Sequence, residues 1–546
     1  MSKKIKNLTK QHKQKFSKIF RHFFSPLQRK RPTIFLLVWL LFSRPPANGQ
    51  TNRSPSAETP PPVTVAVIEE QRVLLRPGTG FTGPTPEPEA SKQGTGSDAK
   101  AIARWDVVPW QEIQGDFNVG VVAFHINQIE SVSFSVNDGP WQVVKEATRN
   151  PETNVVEYWA TIPAADYPDG LMEIRAIVKP VIGISRVLQG EIPAWKNSNA
   201  TTTNGEQSMW LFANPRKTFV SKEIYVNAVN GDDADAGDSE RPLQTLKKAL
   251  TLATQHDGAR IILMTEGDYC PDNITQPQFI NQRWITIEAA QGLDRNRVQI
   301  VGDSNKLRII PRISRLRWRN LSFRPDTFAY INEQQPVIPC CSWFDHCLFE
   351  PLEFEVDEIT PWRGNVYSTD CELENFVYGF TDQELCRNCR VKDTLDAFQR
   401  SRLVINCRVD RMRASSLSVK HHPDIIQTWG EMNNVIYYGV SGTEIDGTQI
   451  LFINQPLVEG PHMTDAAFVD IKVLNDDPKG KPPFSQLQGF LEHAFFRNVV
   501  TPNQSLIFRT DVKGVNFFTA KNVVFEKCRF FNRYPPTKIP KGVIFR

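Results

Sequence analysis

The first 269 residues contain no cysteine, which excludes a disulfide-bridged antibody-type domain from the N-terminal half. Acid is missing from residues 1–49, where 12 Lys and Arg stand without an Asp or Glu, leaving 52 basic against 60 acidic residues in the remainder. The formal +4 of the 546-residue chain therefore belongs to its leader, and the body carries about −8. A nucleic-acid binder needs a basic footprint on its folded surface, so nucleic acid is not an expected partner. The chain also lacks an apolar run long enough to cross a bilayer. Thr33 to Phe42 is about half the ~20 residues a spanning helix needs, and Arg44 closes it, so no stable membrane span is expected.

That short apolar run after a basic stretch has the form of a signal-peptide core, and Ala47-Asn48-Gly49 offers small residues for cleavage before Gln50. Residues 1–49 are thus expected to be a leader, and the protein to be secreted or at the cell surface. An uncleaved, membrane-associated leader is the alternative. Residues 50–101 hold Pro60-Pro61-Pro62 and Pro84-Thr85-Pro86-Glu87-Pro88 among Ser, Thr and Gly, the composition of an extended linker. Only Val63 to Leu75 reads as a strand there, placed to dock on the next domain.

From 102 to 215 short β-runs alternate with turns: Ile129 to Val136, the Asn137-Asp138-Gly139-Pro140 turn, Trp141 to Val144, Val155 to Ile162, Leu171 to Val178 and Ser208 to Ala213. This is the pattern of an antiparallel sandwich. The segment resembles the immunoglobulin-like modules attached to many secreted enzymes and adhesins.

The pattern changes at Ile224-Tyr225-Val226. Asn230-Gly231-Asp232-Asp233, Gly237 and Pro242-Leu243-Gln244-Thr245-Leu246 lead into a helix apolar at Leu243, Leu246, Leu250 and Ala253, then a strand at Ile261 to Met264 and the turn Glu266-Gly267-Asp268-Tyr269. These roughly 50 residues resemble the opening of right-handed parallel β-helix proteins of the pectate-lyase-like superfamily, in which such a helix caps the first coil. Asp232-Asp233-Ala234-Asp235 lacks EF-hand spacing and reads as part of the cap turn. A repeat of polar residue, Cys, any residue, apolar residue supports the solenoid: His346-Cys347, Asp370-Cys371, Asn388-Cys389, Asn406-Cys407 and Lys527-Cys528, three of them 18 apart. The fold class is therefore all-β, a right-handed parallel β-helix over 220–535 preceded by an Ig-like β-sandwich, with a tail at 536–546. Cysteines that recur once per coil are expected to stack as small buried side chains. Cys386-x-x-Cys389 has no second Cys or His pair at zinc-site spacing.

Three features carry candidate chemistry. Lys392 to Gln399 and Lys420 to Gln427 align at an offset of 28, and Asp446-Gly447-Thr448-Gln449 continues the Asp-x-x-Gln pattern 22 residues on. Asp396, Asp424 and Asp446 would then stack on consecutive coils, about 5 Å apart. Such carboxylates share a proton, hold Ca²⁺ against a uronate, or act as a glycosidase pair. Lys420, His421 and His422, with Asp424, are the candidate catalytic groups, a base abstracting the proton alpha to a uronate carboxylate in β-elimination. Families of the superfamily use calcium-binding Asp with a Lys or Arg base; their full motifs are absent here, so no residue is carried over. Equally, the Asp cap turns and the Gln form a hydrogen-bonded ladder that only stabilises the solenoid.

Second, Lys306, Arg308, Arg312, Arg315, Arg317, Arg319 and Arg324 form a cationic stripe with no acid between 306 and 324. Arg315, Arg317 and Arg319 share one strand face and suit the carboxylates or sulfates of an anionic polysaccharide, or pair with acids on adjacent coils. Third, Trp429 offers a sugar-stacking face. The leading expectation is a secreted carbohydrate-active protein that cleaves an acidic polysaccharide as a lyase or hydrolase. The alternative is a non-catalytic carbohydrate-binding or adhesive protein.

Overall fold

The computed structural model describes residues 72–77, 93–137, 139–188, 209–271, 279, 281–302, 306–309, 313–324, 327–331, 341–351, 362–363, 365–412, 423–445, 449–453, 463–473, 484–487, 489–501, 505–508, 518–530 and 539–546. Residues 102–213 form two sheets. Ile102–Trp105, Asp116–Phe124, Val156–Pro163 and Thr148–Arg149 make an antiparallel four-stranded sheet. Glu112–Ile113, Met209–Ala213, Gly170–Pro180, Ile129–Val136 and Gln142–Val144 order the second, which Arg186–Leu188 joins beside Gly170–Pro180. Both contribute to one apolar cluster that includes Trp105, Val121, Phe134, Ile162 and Ile174. Of the linker strand expected over Val63 to Leu75, the described end does dock: Leu74 bridges Thr161, and Leu75 is buried in that cluster.

The rest is a parallel β-helix. A long sheet runs from Lys222–Val226 to Val543–Phe545, each strand pairing in parallel with the corresponding strand of the next coil. Its last strand falls within the stretch expected as a tail. A second parallel sheet runs from Gly267–Tyr269 to Arg529–Phe530. The third side is built from a three-stranded sheet that starts at Lys306–Ile309 and a six-stranded sheet that starts at Tyr378–Thr381. The helix Leu246–Ala253 buries Leu246, Ala249, Leu250 and Ala253, close to the expected stripe. Thr245 caps its start by accepting the Lys248 amide, and Asp233 in turn accepts the Gln244 and Thr245 amides, so the acidic loop is a cap turn.

The sheets meet at corners made by single residues in the left-handed region. Between the long and second sheets these are Asn320, His346, Asp370, Asn388, Asn406, Asp470, Asn498 and Lys527, with φ from 50° to 55°, and Gly439 at 69°. Asn375, Asp393, Arg411 and Glu444 turn the next corner; Asp382, Arg400, Asn434, Asp465, His493 and Asn522 turn the third. Asn and Asp tolerate this conformation best, and it costs an ordinary L-residue roughly 1–2 kcal/mol. The first corner's amides are used along the axis: Asp370 N–H donates to Arg387 O (3.0 Å), Asn388 to Ile405 O (3.0 Å), Asn406 to Tyr438 O (2.9 Å). The polar residue of the sequence repeat is therefore the turn, and the cysteine after it points inward. Cys347, Cys371, Cys389, Cys407 and Cys528 are all buried and free.

Aligned residues form columns in the core. Tyr437, Phe468, Phe496, Phe525 and Phe545 are register partners on successive coils, with ring centroids 5.5, 4.7, 4.4 and 4.8 Å apart and planes within 15°.

The outer face of the long sheet is covered by the two-sheet N-terminal unit. Ile102, Val122 and Phe124 pack with Leu385, Leu403, Ile436, Ala467 and Phe495. Polar contacts pin the seam. Asn434 accepts the Ala103 amide (2.9 Å) and donates to the Ala103 carbonyl (2.7 Å), extending the strand Ile102–Trp105 sideways onto the solenoid. Arg104 pairs with Glu384, Arg186 with Asp465 (2.7 Å each) and Arg387 with Asp106 (2.8 Å). Removing one partner from such a buried pair leaves an uncompensated charge.

The ring column and the seam each give a stability test. Phe496→Ala, in the middle of the column, is expected to cost about 3–5 kcal/mol in urea unfolding. Burial pushes the Asp106 carboxyl up to about 6 against the opposing pull of Arg387. Its unfolded value is about 3.9, so the folded protein keeps a proton that the unfolded chain releases, and this residue's contribution falls as pH rises from about 4 to about 6. In urea midpoints, the stability of the wild type relative to Asp106→Asn is expected to be lower at pH 7 than at pH 4.5.

Candidate functional site

The first coils present an outer face of alternating charge. In register, Glu223, Arg260, Thr286, Arg317 and Trp343 form one column, and Tyr225, Ile262, Glu288, Arg319 and Asp345 the next. Arg260 bridges Glu223 (2.7 Å) and Glu288 (2.5 Å). Arg319 lies between Glu288 (3.6 Å) and Asp345 (3.4 Å), and Arg317 donates to Asp345 while its guanidinium lies 3.7 Å above the Trp343 ring. Long side chains on neighbouring rungs about 4.8 Å apart reach one another easily, which is why residues 26 to 37 apart in sequence form these pairs.

This face forms one wall of a cleft of about 780 Å³ whose other wall is built by Gln111, Glu112, Gln114 and the segment Asn214 to Ser221. Lys217, Arg260, Arg283, Arg317 and Arg319 line it with Glu112, Glu223 and Glu288, and Asp345 behind them pairs with Arg317 and Arg319. The side chains of Arg260 and Arg319 remain 47% and 49% exposed, so both can meet a ligand. Phe219 and Val220 give the rim an exposed apolar edge. Burial alone would raise the Asp345 carboxyl, but its bonds from His346 and Arg317 outweigh that and hold it well below the usual carboxylate range. The bond to Asp345 in turn raises His346.

Of the residues expected to bind substrate, Arg317 and Arg319 therefore line the cleft. Arg315 shares their strand face but is buried, 4.3 Å above the Trp110 ring and donating to Asn281 O. Arg324 pairs with Glu350 (2.9 Å); the side chains of Lys306, Arg308 and Arg312 lie outside the described residues. Trp429 directly follows the strand Asp424–Thr428 of the third side and is not among the residues lining the cleft; the Arg400 guanidinium lies 5.6 Å from its ring.

The catalytic candidates Lys420, His421 and His422, and the metal candidate Asp446, lie outside the described residues. Asp424 is fully buried and Asp396 nearly so. The offset of 28 is the true register, since Phe398 aligns with Ile426 and Gln399 with Gln427. Gln399 donates to Gln427 Oε1 (2.8 Å) and to Asp396 Oδ2 (2.6 Å), and Asp396 Oδ1 accepts the Asp424 amide (2.8 Å). Both Asp396 oxygens thus face hydrogen-bond donors, as in a structural ladder. The ladder also ends there. Gln449 aligns with Asp424 and Phe452 with Gln427, an offset of 25 in place of the expected 22, so Gln449 does not continue the glutamine stack.

Glu223, Arg260, Arg283, Glu288 and the cleft-lining Trp284 and Trp343, whose ring centroids lie 5.8 Å apart, are not singled out by the sequence alone. The signal that could have found them is charge at matching outward positions of the first strands, visible only once those strands are stacked.

No protein-family model matches the chain, and no curated protein is similar to it. Among solved structures it is similar to the selenomethionine derivative and the native form of a GH136 lacto-N-biosidase from Eubacterium ramulus. The TM-scores are 0.30 and 0.29 at 10% and 11% identity, over 60% and 59% of this chain and 67% and 66% of those. A likeness of this size transfers no activity.

Asp345 is the anchor of the cleft wall and gives the test. Its lowered folded value means that its contribution is fully present above the unfolded value near 3.9 and is lost as pH falls through the folded one. Asp345→Asn is expected to lose about 3 kcal/mol at pH 7 in urea unfolding, with the deficit shrinking toward pH 2.

Proposed function

We propose that this is an exported carbohydrate-binding β-helix protein whose ligand is an anionic polysaccharide held in the cleft between the N-terminal sheets and the first coils. The observation that supports it is the pairing of half-exposed guanidinium groups, Arg260 and Arg319, with the apolar rim of Phe219 and Val220. Guanidinium forks match carboxylates and sulfates, and an apolar edge suits the C–H face of a sugar ring. The half-exposed guanidinium groups favour a uronate or sulfated chain over a neutral one.

Binding is favoured over cleavage at this place because Glu223 and Glu288 both bond to Arg260. Both carboxylates are taken up in holding the guanidinium in place, which suits a wall that grips a ligand's anionic groups. The test is a panel of polygalacturonate, alginate, chondroitin sulfate and neutral glycans, with and without Ca²⁺, read by affinity electrophoresis, absorbance at 235 nm and reducing ends. Salt-sensitive binding to acidic glycans, weakened about tenfold by Arg319→Ala, is expected. Binding unaffected by that change refutes the cleft. A rise at 235 nm or new reducing ends returns the function to a lyase or hydrolase.

A further inference from the structure

Five of the solenoid's cysteines have a common place. Each comes directly after the left-handed corner residue, and its thiol lies within hydrogen-bond reach of two carbonyls, one two residues earlier and one on the preceding coil. Cys371 thus meets Thr369 O (3.3 Å) and Phe344 O (3.4 Å), Cys389 meets Arg387 O (3.3 Å) and Ser368 O (3.5 Å), and Cys407 meets Ile405 O (3.3 Å) and Cys386 O (3.4 Å). Cys347 and Cys528 do the same. A small, weakly polar, buried donor is what that corner accommodates.

Cys386 does not belong to this series. It lies in the inward column of the long sheet, between Ser368 and Val404, where other coils place Trp318, Phe344, Tyr437 and Phe468. Its sulfur lies 3.7 Å from that of Cys407, one coil on, and the sulfurs of Cys386, Cys389 and Cys407 are all within 4.8 Å of one another. The three side chains are essentially without solvent exposure.

A divalent soft metal on three thiolates would leave a net negative charge in this apolar core, and desolvation opposes that strongly. A covalent bond between two of the sulfurs is neutral and meets no such penalty. We infer that Cys386 and Cys407 form a disulfide across consecutive coils when the chain folds in an oxidising environment. The co-reactant is a small-molecule disulfide such as oxidised glutathione. One cysteine thiolate attacks it, giving a mixed disulfide and one small thiolate. The other cysteine, deprotonated, attacks the protein sulfur of that mixed disulfide and expels the second small thiolate. Two protein thiols become one S–S bond, and two electrons and two protons pass to the reagent, which leaves as two thiols. The burial of both sulfurs places the exchange before the coils close. The bond would tie two rungs that otherwise hold each other only by hydrogen bonds and packing.

The test is to refold the full chain in oxidised and in reduced glutathione, alkylate in denaturant, and map peptides by mass. A peptide pair joining Cys386 to Cys407 is expected in the oxidised sample alone. Its midpoint of thermal unfolding should exceed that of the reduced sample, by a margin that shrinks in Cys386→Ala. Full alkylation of both cysteines after oxidative folding overturns the inference, as does a Cys386–Cys389 or Cys389–Cys407 bond in their place. If Cys386→Ala does not fold, Cys389→Ala decides: the Cys386–Cys407 peptide pair must survive in it.

Discussion

One left-handed residue at each corner is the constraint on which the solenoid depends. A parallel strand cannot turn onto the next sheet without a change of direction, and here that change is compressed into a single residue with φ near 50°. Compression has a consequence for register. Because the corner amide bonds to the coil beyond it, corners stack on corners, and every inward column is fixed by them. Rings that would otherwise slide past one another are held face to face from Tyr437 to Phe545. Where coil length changes, the change is absorbed in the segments between strands and the corners keep their alignment, which is why spacings of 18, 28 and 25 residues coexist in one stack.

The second organising contact is the seam between the N-terminal sheets and the long sheet. A solenoid face of Leu385, Leu403, Ile436 and Phe495 would be an apolar surface if left bare. Covering it with Ile102, Val122 and Phe124 buries that surface, and the Asn434 side-chain amide satisfies the backbone N–H and C=O of Ala103 on the edge strand. The cleft is a by-product of where the cover thins. At the first coils the outer face carries Glu223, Arg260, Glu288 and Arg319 in place of apolar side chains, and the seam opens into a charged wall.

Much of the fold is legible in the sequence because a solenoid repeats itself. The polar-Cys-x-apolar signature marks the corner and the residue behind it, and the stripe of Leu246, Leu250 and Ala253 marks the cap helix. The site is less legible, for a physical reason. An ion pair such as Arg260 with Glu288 depends on which strands stack, and that depends on coil lengths that vary. The same variation defeats the pattern at Gln449, where an identical local motif stands at a different height. The arginine stripe is legible as one face, but the Trp110 that covers Arg315 lies some 200 residues earlier, where no local pattern announces it.

In a bare solenoid each coil touches only its neighbours, so the array behaves as a one-dimensional chain in which an end can fray independently of the middle. This protein departs from that limit. Trp284 donates to Pro109 O near one end of the long sheet, Glu384 and Asn434 hold residues 103 and 104 at its centre, and Asn522 reaches Asp98 near the other end. The N-terminal unit thus acts as a splint laid along the stack. A coil cannot open without also straining a body that its distant neighbours share, so nearest-neighbour coupling becomes long-range, and melting of the rungs is drawn together into one cooperative event.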